Sequence, residues 1–303
     1  MKTIKNYLSL ITFSHTIFAF PFAMIGFVLG AFDAGFIGNN SGNVFYPDAP
    51  AGTGALLQRF FFVILCMIFA RSAAMAFNRY LDAPIDALNP RTAKREIPAG
   101  IISRRNALIF TIFNGLAFII SAAFINEICF YLSPIALFVV LFYSYTKRFT
   151  ALCHLVLGLG LSLAPIGAYL AVTGVFSIIP LLMSIAVITW VSGFDIIYSL
   201  QDEEFDRAEN LSSIPVWLGK KNALNFSVFL HCISSVCLLA AGFLGSFGFL
   251  YWTGFTVYCG MLVYQHSLVS PDNLQKVNIA FMTANGIASL VFAAFVISDI
   301  LIL

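Results

Sequence analysis

The chain has 303 residues, of which 60% are hydrophobic and 10% charged, with a formal net charge of +2. Ordinary soluble domains carry about 25% charged residues, so the composition excludes a soluble globular protein and points to one whose solvent is the lipid bilayer, with no nucleic-acid partner. Its long, nearly charge-free runs also exclude an outer-membrane barrel, whose strands read as alternating segments of about ten residues.

A transmembrane helix needs about 20 mostly apolar residues. Such runs lie near 9–31, 56–80, 106–125, 128–146, 151–173, 177–200, 222–244, 247–269 and 277–302, which predicts nine spans. The first run follows Lys2 and Lys5 as a signal peptide would, but it is too long and no small-residue cleavage pattern follows, so it is expected as a retained span. Ser14, His15 and Thr16 on it are read as packed polar residues.

The second run ends in the polar stretch AMAFNRYLDAPIDALNPRTAKREIPAG, residues 74–100. Asn78, Asp82 and Asp86 recur every fourth residue, so on a helix they stand 40° apart, with a rise of about 6 Å per step, and share a face. Pro84 cannot donate to the carbonyl four residues earlier and commonly ends or kinks a helix. Asn78 and Asp82 are therefore expected on the last turn of the span and Asp86 in the loop beyond it. Arg71 lies on the same stripe about 10 Å deeper, where a charge is costly and marks a functional candidate. Arg59 and Arg79 are read as interfacial anchors with snorkelling stems. Arg91, Lys94 and Arg95 follow as topology signals and as candidate anion contacts.

The fourth span ends in FYSYTKRFT, where Tyr143 and Lys147 are four apart with Arg148 beside them, and His154 lies just beyond. At the end of the sixth span, GFDIIYSLQDEEFDRAENLSSIP brings Asp195, Asp202 and Asp206 at spacings of seven and eleven, one stripe if the helix continues. Asp195 would either pair with Arg71 inside the bundle or serve a site directly; Glu203, Glu204 and Glu209 are expected in solvent. His231 and His266 have no acidic neighbours at ligand spacing, and Cys66, Cys129, Cys153, Cys232, Cys237 and Cys259 lack metal-type spacing and read as small buried hydrophobes. The equal spacing of Asp82/Asp86 and Asp202/Asp206, at the ends of the second and sixth spans, suggests a parallel repeat of helices 1–4 and 5–8.

With nine spans, all the loop Lys and Arg residues fall on one side and the loops around 32–55, 126–133, 174–177 and 245–247 contain none. The positive-inside tendency then makes the basic side cytoplasmic, with the N-terminus and both acidic groups there. Mg²⁺ prefers six oxygens and commonly takes one or two carboxylates together with waters and substrate phosphates. Two acidic groups at one membrane face suit Mg²⁺ and a diphosphate, nearby Lys and Arg suit the same anion, and the apolar interior suits a hydrocarbon tail. A cation or proton-coupled transporter is the alternative of another class, because intramembrane acids also mark ion paths; its acids belong near the midplane on broken helices.

RSAAMAFNRYLDAPID, YSYTKRFT and DIIYSLQDEEFD resemble the three signature regions of the UbiA superfamily of intramembrane prenyltransferases. NPRTAKREIPAG and LSSIPVWLGKKNA are similar too, so the resemblance runs over most of residues 10–225, with the 4-hydroxybenzoate polyprenyltransferase-like branch, including members of the futalosine route to menaquinone, the most similar. It implies an all-α polytopic fold of nine helices around a central cavity, in a bacterial-type cytoplasmic membrane with the site facing the cytoplasm. It also implies Mg²⁺, a polyprenyl diphosphate donor, and an aromatic acid acceptor, 4-hydroxybenzoate or a dihydroxynaphthoate, in ubiquinone or menaquinone synthesis. Carried over by motif, Asn78, Asp82, Asp86, Asp202 and Asp206 hold Mg²⁺-diphosphate, with Asp195 in support. Arg71, Tyr143, Lys147 and Arg148 contact the diphosphate or the acceptor carboxylate, and Arg91 and Lys94 join them as substrate-binding residues. Asp82, Asp202, Lys147 and Tyr143 are the expected catalytic residues. Two departures touch the fine geometry: DAPID stands where DRxID is more usual, and YSYTK lacks the Pro often found after the Tyr. A haem O synthase-like or other isoprenoid transfer stays open within the same superfamily.

Overall fold

The computed structural model describes residues 6, 7, 9, 10, 18–37, 46 and 48–303. Lys2, Lys5, Ser14, His15 and Thr16 lie outside the described residues. The described chain is helical, with no β-strand: α1 (Phe20–Asp33), α2 (Thr53–Leu88), α3 (Arg104–Ala123), α4 (Glu127–Thr146), α5 (Cys153–Thr173), α6 (Ile178–Ser199), the short α7 (Glu203–Ala208), α8 (Ile214–Leu244), α9 (Phe249–Ser267) and α10 (Asn285–Ile302). A π-helical turn, Ile279–Ala284, leads into α10.

Seven segments among the described residues are long and apolar enough to cross a bilayer: α2, α3, α4, α5, α6 with α7, α8, and the π turn with α10. The other two expected spans correspond to α1, 14 residues as described, and α9, 19 residues. Phe113, Phe138, Phe229 and Phe243 point outward and are exposed. In water such a surface would drive association; against lipid tails it is the ordinary covering of a helix bundle.

With no hydrophobic drive between helices in lipid, close packing must hold them, and small residues permit it. A Cβ on Gly26 of α1 would lie 2.1 Å from the Pro165 carbonyl oxygen of α5, and one on Gly158 of α5 would lie 2.4 Å from the Ile188 carbonyl oxygen of α6. The main core forms around Trp190 of α6, whose ring packs against Phe22, Phe194 and Tyr258 and whose Nε1 donates to Asn285 Oδ1 at 2.9 Å. Buried His231 sits 3.2 Å from the Trp190 carbonyl oxygen through Nε2 and 2.8 Å from His266 Nε2 through Nδ1, a polar clamp between α6, α8 and α9.

Two expectations are corrected here. The helix does not end before Pro84: α2 runs on to Leu88, so Asp86 is helical and buried. Proline removes one donor and crowds the carbonyl four residues back, and two guanidinium groups serve the carbonyls at that turn. Arg104 Nη2 donates to the Tyr80 carbonyl at 3.4 Å and Arg148 Nη2 to that of Leu81 at 3.1 Å, while Pro84 itself is exposed. The acidic stripe on α6, by contrast, is broken: the helix ends at Ser199, a 3₁₀ turn carries Asp202, and α7 carries Asp206. The break turns the chain back across the end of the bundle, where Ser212 N donates to the Lys147 carbonyl at 2.8 Å and joins the loop before α8 to the loop after α4.

Arg59 donates to the carbonyls of Ala171 at 3.0 Å and Val172 at 3.3 Å, and to that of Asp48, thereby satisfying free carbonyls at the C-terminal end of α5. The cysteines are free; Cys153 is buried, Cys232 is exposed, and the other four are intermediate.

Candidate active site

A cavity of about 900 Å³ runs between α2, α4, α5 and α6. Val63, Cys66, Met67 and Cys129 line its apolar part, and Asn78, Asp82, Asp86, Asp202 and Asp206 its polar part. Along α2 the two parts are about 28 Å apart, taking 1.5 Å per residue from Val63 to Asp82. The acids therefore gather at one end of the cavity and not at its middle. That placement argues against the transporter arrangement.

Each acid is held by a base. Asp82 Oδ1 accepts from Arg148 Nη2 at 2.9 Å and Asp82 Oδ2 from Asn78 Nδ2 at 2.9 Å. Asp86 Oδ1 accepts from Arg95 Nη1 at 2.6 Å. Asp202 accepts from Arg91 twice, Nε to Oδ1 at 3.0 Å and Nη2 to Oδ2 at 2.6 Å, and Asp206 pairs with Lys147 at 2.7 Å. The bidentate Arg91 pair joins the loop after α2 to the turn after α6, so the two acidic groups stand at one mouth. A fork of this kind fixes direction as well as charge.

The segment after α2 explains which of its bases reach inward. Asn89 Oδ1 accepts from Arg91 N at 2.9 Å, and Thr92 Oγ1 donates to the Asp86 carbonyl at 3.0 Å. The chain then coils so that Arg91 and Arg95 line the cavity while Lys94 is exposed and does not. Lys94 is thus a correction: it is not among the residues brought to the site. The difference is testable, since a hydrogen-bonded charged group contributes about 1.5–3 kcal/mol. Arg91→Gln is expected to weaken binding of inorganic pyrophosphate by about tenfold or more, and Lys94→Gln to leave it within about twofold, both read by calorimetry.

Burial opposes the charge on Arg91, but the carboxylate of Asp202, with Tyr198 and Asp86 adding to it, outweighs burial and raises its pKa above the ordinary value. The same balance raises Lys147: burial works against the ammonium and Asp206 more than restores it. Both bases stay cationic throughout the physiological range, as an anion-binding mouth requires.

Arg71, Tyr143, Lys147 and Arg148 all line the cavity, as does Asp195. Asp195 does not pair with Arg71; its Oδ2 lies 2.7 Å from Nδ1 of His154, a buried residue of the first turn of α5. Glu203 is also corrected. It is buried, held by Arg207 and placed 4.0 Å from Lys220, whereas Glu204 and Glu209 are exposed. Gly219, with φ +76°, breaks α8 after its first turn and lets Lys220 approach the acids of α7. A left-handed φ of this kind is cheap only for glycine.

Three lining residues were not expected at the site. Arg79, read as an anchor, lines the cavity one residue after Asn78. Tyr198 receives Arg91 Nη1 at 3.3 Å, with its ring 5.7 Å from the guanidinium carbon; its position four residues before Asp202 was a usable signal. His154 is the third, and only the α5–α6 packing brings it to Asp195.

The donor set can be tested against a divalent cation. Among the described residues no three His, Cys, Asp or Glu side chains form a self-contained metal cage. Yet buried Asp86 Oδ2 has no hydrogen-bond partner among them, and the set around it is hard oxygen: four carboxylates and an amide. Mg²⁺ that shares its shell with substrate phosphates needs only one or two protein carboxylates, so the residues fit a metal that arrives with a diphosphate.

A charged mouth opening into a long greasy cavity defines a membrane protein that handles molecules with an anionic head and an apolar body. The chain belongs to the UbiA prenyltransferase family, whose model matches residues 49–290; it is a membrane-embedded prenyltransferase. It is 28% identical over 228 residues to the 4-hydroxybenzoate octaprenyltransferase of Tolumonas auensis, covering 75% of this chain and 79% of that relative. The apo structure of a UbiA homologue from Aeropyrum pernix K1 matches with a TM-score of 0.80 at 30% identity, over 94% of this chain and 98% of that one. A UbiA homologue from Archaeoglobus fulgidus bound to GPP and Mg²⁺ has the same fold, with a TM-score of 0.72 at 22% identity over 97% and 99% of the two chains.

Proposed function

We propose that this prenyltransferase moves a polyprenyl group from a polyprenyl diphosphate to an aromatic acid, 4-hydroxybenzoate or a dihydroxynaphthoate, in ubiquinone or menaquinone synthesis. The observation that carries the reading is the pairing of two acidic groups and four cationic side chains at one end of the apolar cavity. The relatives named for octaprenyl transfer to 4-hydroxybenzoate support it.

Asn78, Asp82, Asp86, Asp202 and Asp206 would hold Mg²⁺. When bound, the metal supplies charge that stabilises the departing pyrophosphate. Arg91, Arg95, Lys147 and Arg148 bind the same diphosphate and orient it toward the cavity's polar end. Val63, Cys66, Met67 and Cys129 take the tail and keep water from the allylic cation that ionisation leaves behind. Arg71 and Tyr143 stand between the two regions, where an acceptor's carboxylate and ring would lie. The electron-rich ring carbon attacks the first carbon of the tail. In a bacterial-type cytoplasmic membrane the basic loops would face the cytoplasm, where diphosphate and acid are supplied.

Purified enzyme in detergent, given prenyl diphosphates of several lengths with 4-hydroxybenzoate and dihydroxynaphthoates, is expected to yield a product whose mass is the acceptor plus the prenyl group less one hydrogen. Excess chelator should remove turnover and added Mg²⁺ restore it. Transfer to haem in place of either acid would replace this acceptor by that of the haem O synthase-like branch.

A further inference from the structure

Transfer to an aromatic carbon leaves a proton to dispose of, and the charged mouth is poorly equipped to take it. Asp82, Asp86, Asp202 and Asp206 are each bound to an arginine or a lysine, so at least one oxygen of each is already engaged by a cation. Asp195 differs. It lines the cavity and its partner is the imidazole of His154.

The tautomer of His154 follows from its second contact. Ile214 N, in the first turn of α8, reaches His154 Nε2 at 3.4 Å, so Nε2 is the acceptor and Nδ1 carries the hydrogen it donates to Asp195 Oδ2 at 2.7 Å. Ser192 Oγ donates to the His154 carbonyl at 3.0 Å, tying the backbone of α5 to α6 at this pair. The imidazole is thereby oriented from one side and the carboxylate from the other, the arrangement by which a buried acid–base pair is kept in one geometry.

Resting on the aromatic-acceptor reading above, we infer that Asp195 is the base that takes the ring proton and that His154 is the residue that positions it. As the bond between the ring carbon and the first carbon of the tail forms, the carbon–oxygen bond to diphosphate breaks and its electron pair leaves with pyrophosphate. The proton on the attacked ring carbon passes to Asp195 Oδ1, and the pair of that C–H bond returns to the ring and restores its aromaticity. The Nδ1–H of His154 holds Oδ2 throughout and aims the other oxygen of Asp195. The proton reaches solvent through the charged mouth as product departs.

The test is a kinetic isotope effect with 4-hydroxybenzoate deuterated at the two positions beside the hydroxyl. Wild-type enzyme is expected to show a ratio near unity, because proton loss is fast once the carbon–carbon bond has formed. In His154→Ala and Asp195→Asn proton loss becomes limiting: kcat falls by about 10²-fold, KM for the prenyl diphosphate stays unchanged, and the ratio rises clearly above unity. His154→Gln, which keeps an N–H donor, should recover part of kcat and lower the ratio again; it also provides the reading if His154→Ala does not fold. Variants that retain wild-type kcat, or lose it with the ratio still at unity, overturn the assignment. A wild-type enzyme that fails to prenylate either acid under these conditions would instead count against the acceptor reading.

Discussion

Asp202→Ala is expected to lower kcat by a factor of about 10³ or more, the consequence of losing roughly 4 kcal/mol of stabilisation of a leaving diphosphate. Two effects combine. The substitution removes an oxygen donor from the mouth, and it releases Arg91, whose guanidinium is held by both Asp202 oxygens. Asp82→Ala should act similarly through Arg148 and Asn78. Because both acids serve one diphosphate, the double variant should fall little further than the worse single one, the non-additivity of residues acting as a unit. Initial rates across a Mg²⁺ titration give the result. A purified Asp202→Ala enzyme with near wild-type kcat would remove the site from consideration.

Gly158→Ala should be strongly destabilising. The added methyl would stand 2.4 Å from the Ile188 carbonyl oxygen and 2.6 Å from Ser192 Oγ, and neither neighbour is a flexible side-chain end. Overpacking of this sort costs about 1–3 kcal/mol, and here it would also push α5 from α6 and open the His154–Asp195 contact. The thermal midpoint in detergent, with Gly260→Ala as comparison, decides it. Gly260 has nothing within 4 Å of its would-be Cβ, so alanine there is neutral or slightly stabilising through helix propensity. Equal midpoints for the two variants would contradict the close crossing.

Helix positions and the acids themselves could be read from the sequence because both follow simple periodicities. Apolar runs of span length mark the helices, and Asn78, Asp82 and Asp86 every fourth residue, or Tyr143 and Lys147 four apart, declare a shared face. The reading failed where tertiary contacts override local rules. Pro84 looks like a stop, but the carbonyls at its turn are served by Arg104 and Arg148, one from α3 and the other from the segment after α4. Lys94 looks as good an anion contact as Arg91 until the Asn89 turn sets which side chains face inward. Arg79 has the composition of an anchor, and its place at the cavity depends on which side of α2 meets α4 and α5. His154 carries no signal of its own, since its partner is 41 residues away and on another helix.

The continuity of α2 through Pro84 has one more consequence. The wall that takes the tail, at Val63, Cys66 and Met67, and the acids at Asn78, Asp82 and Asp86 belong to one unbroken rod. Separation and angle between the greasy and the charged ends then follow from the number of residues between them. A single residue gained or lost between Cys66 and Asn78 would rotate one end against the other by about 100°. The sequence in that interval can vary in chemistry, but its count acts as a gauge, machined into the backbone, of where the first carbon of a tail must lie.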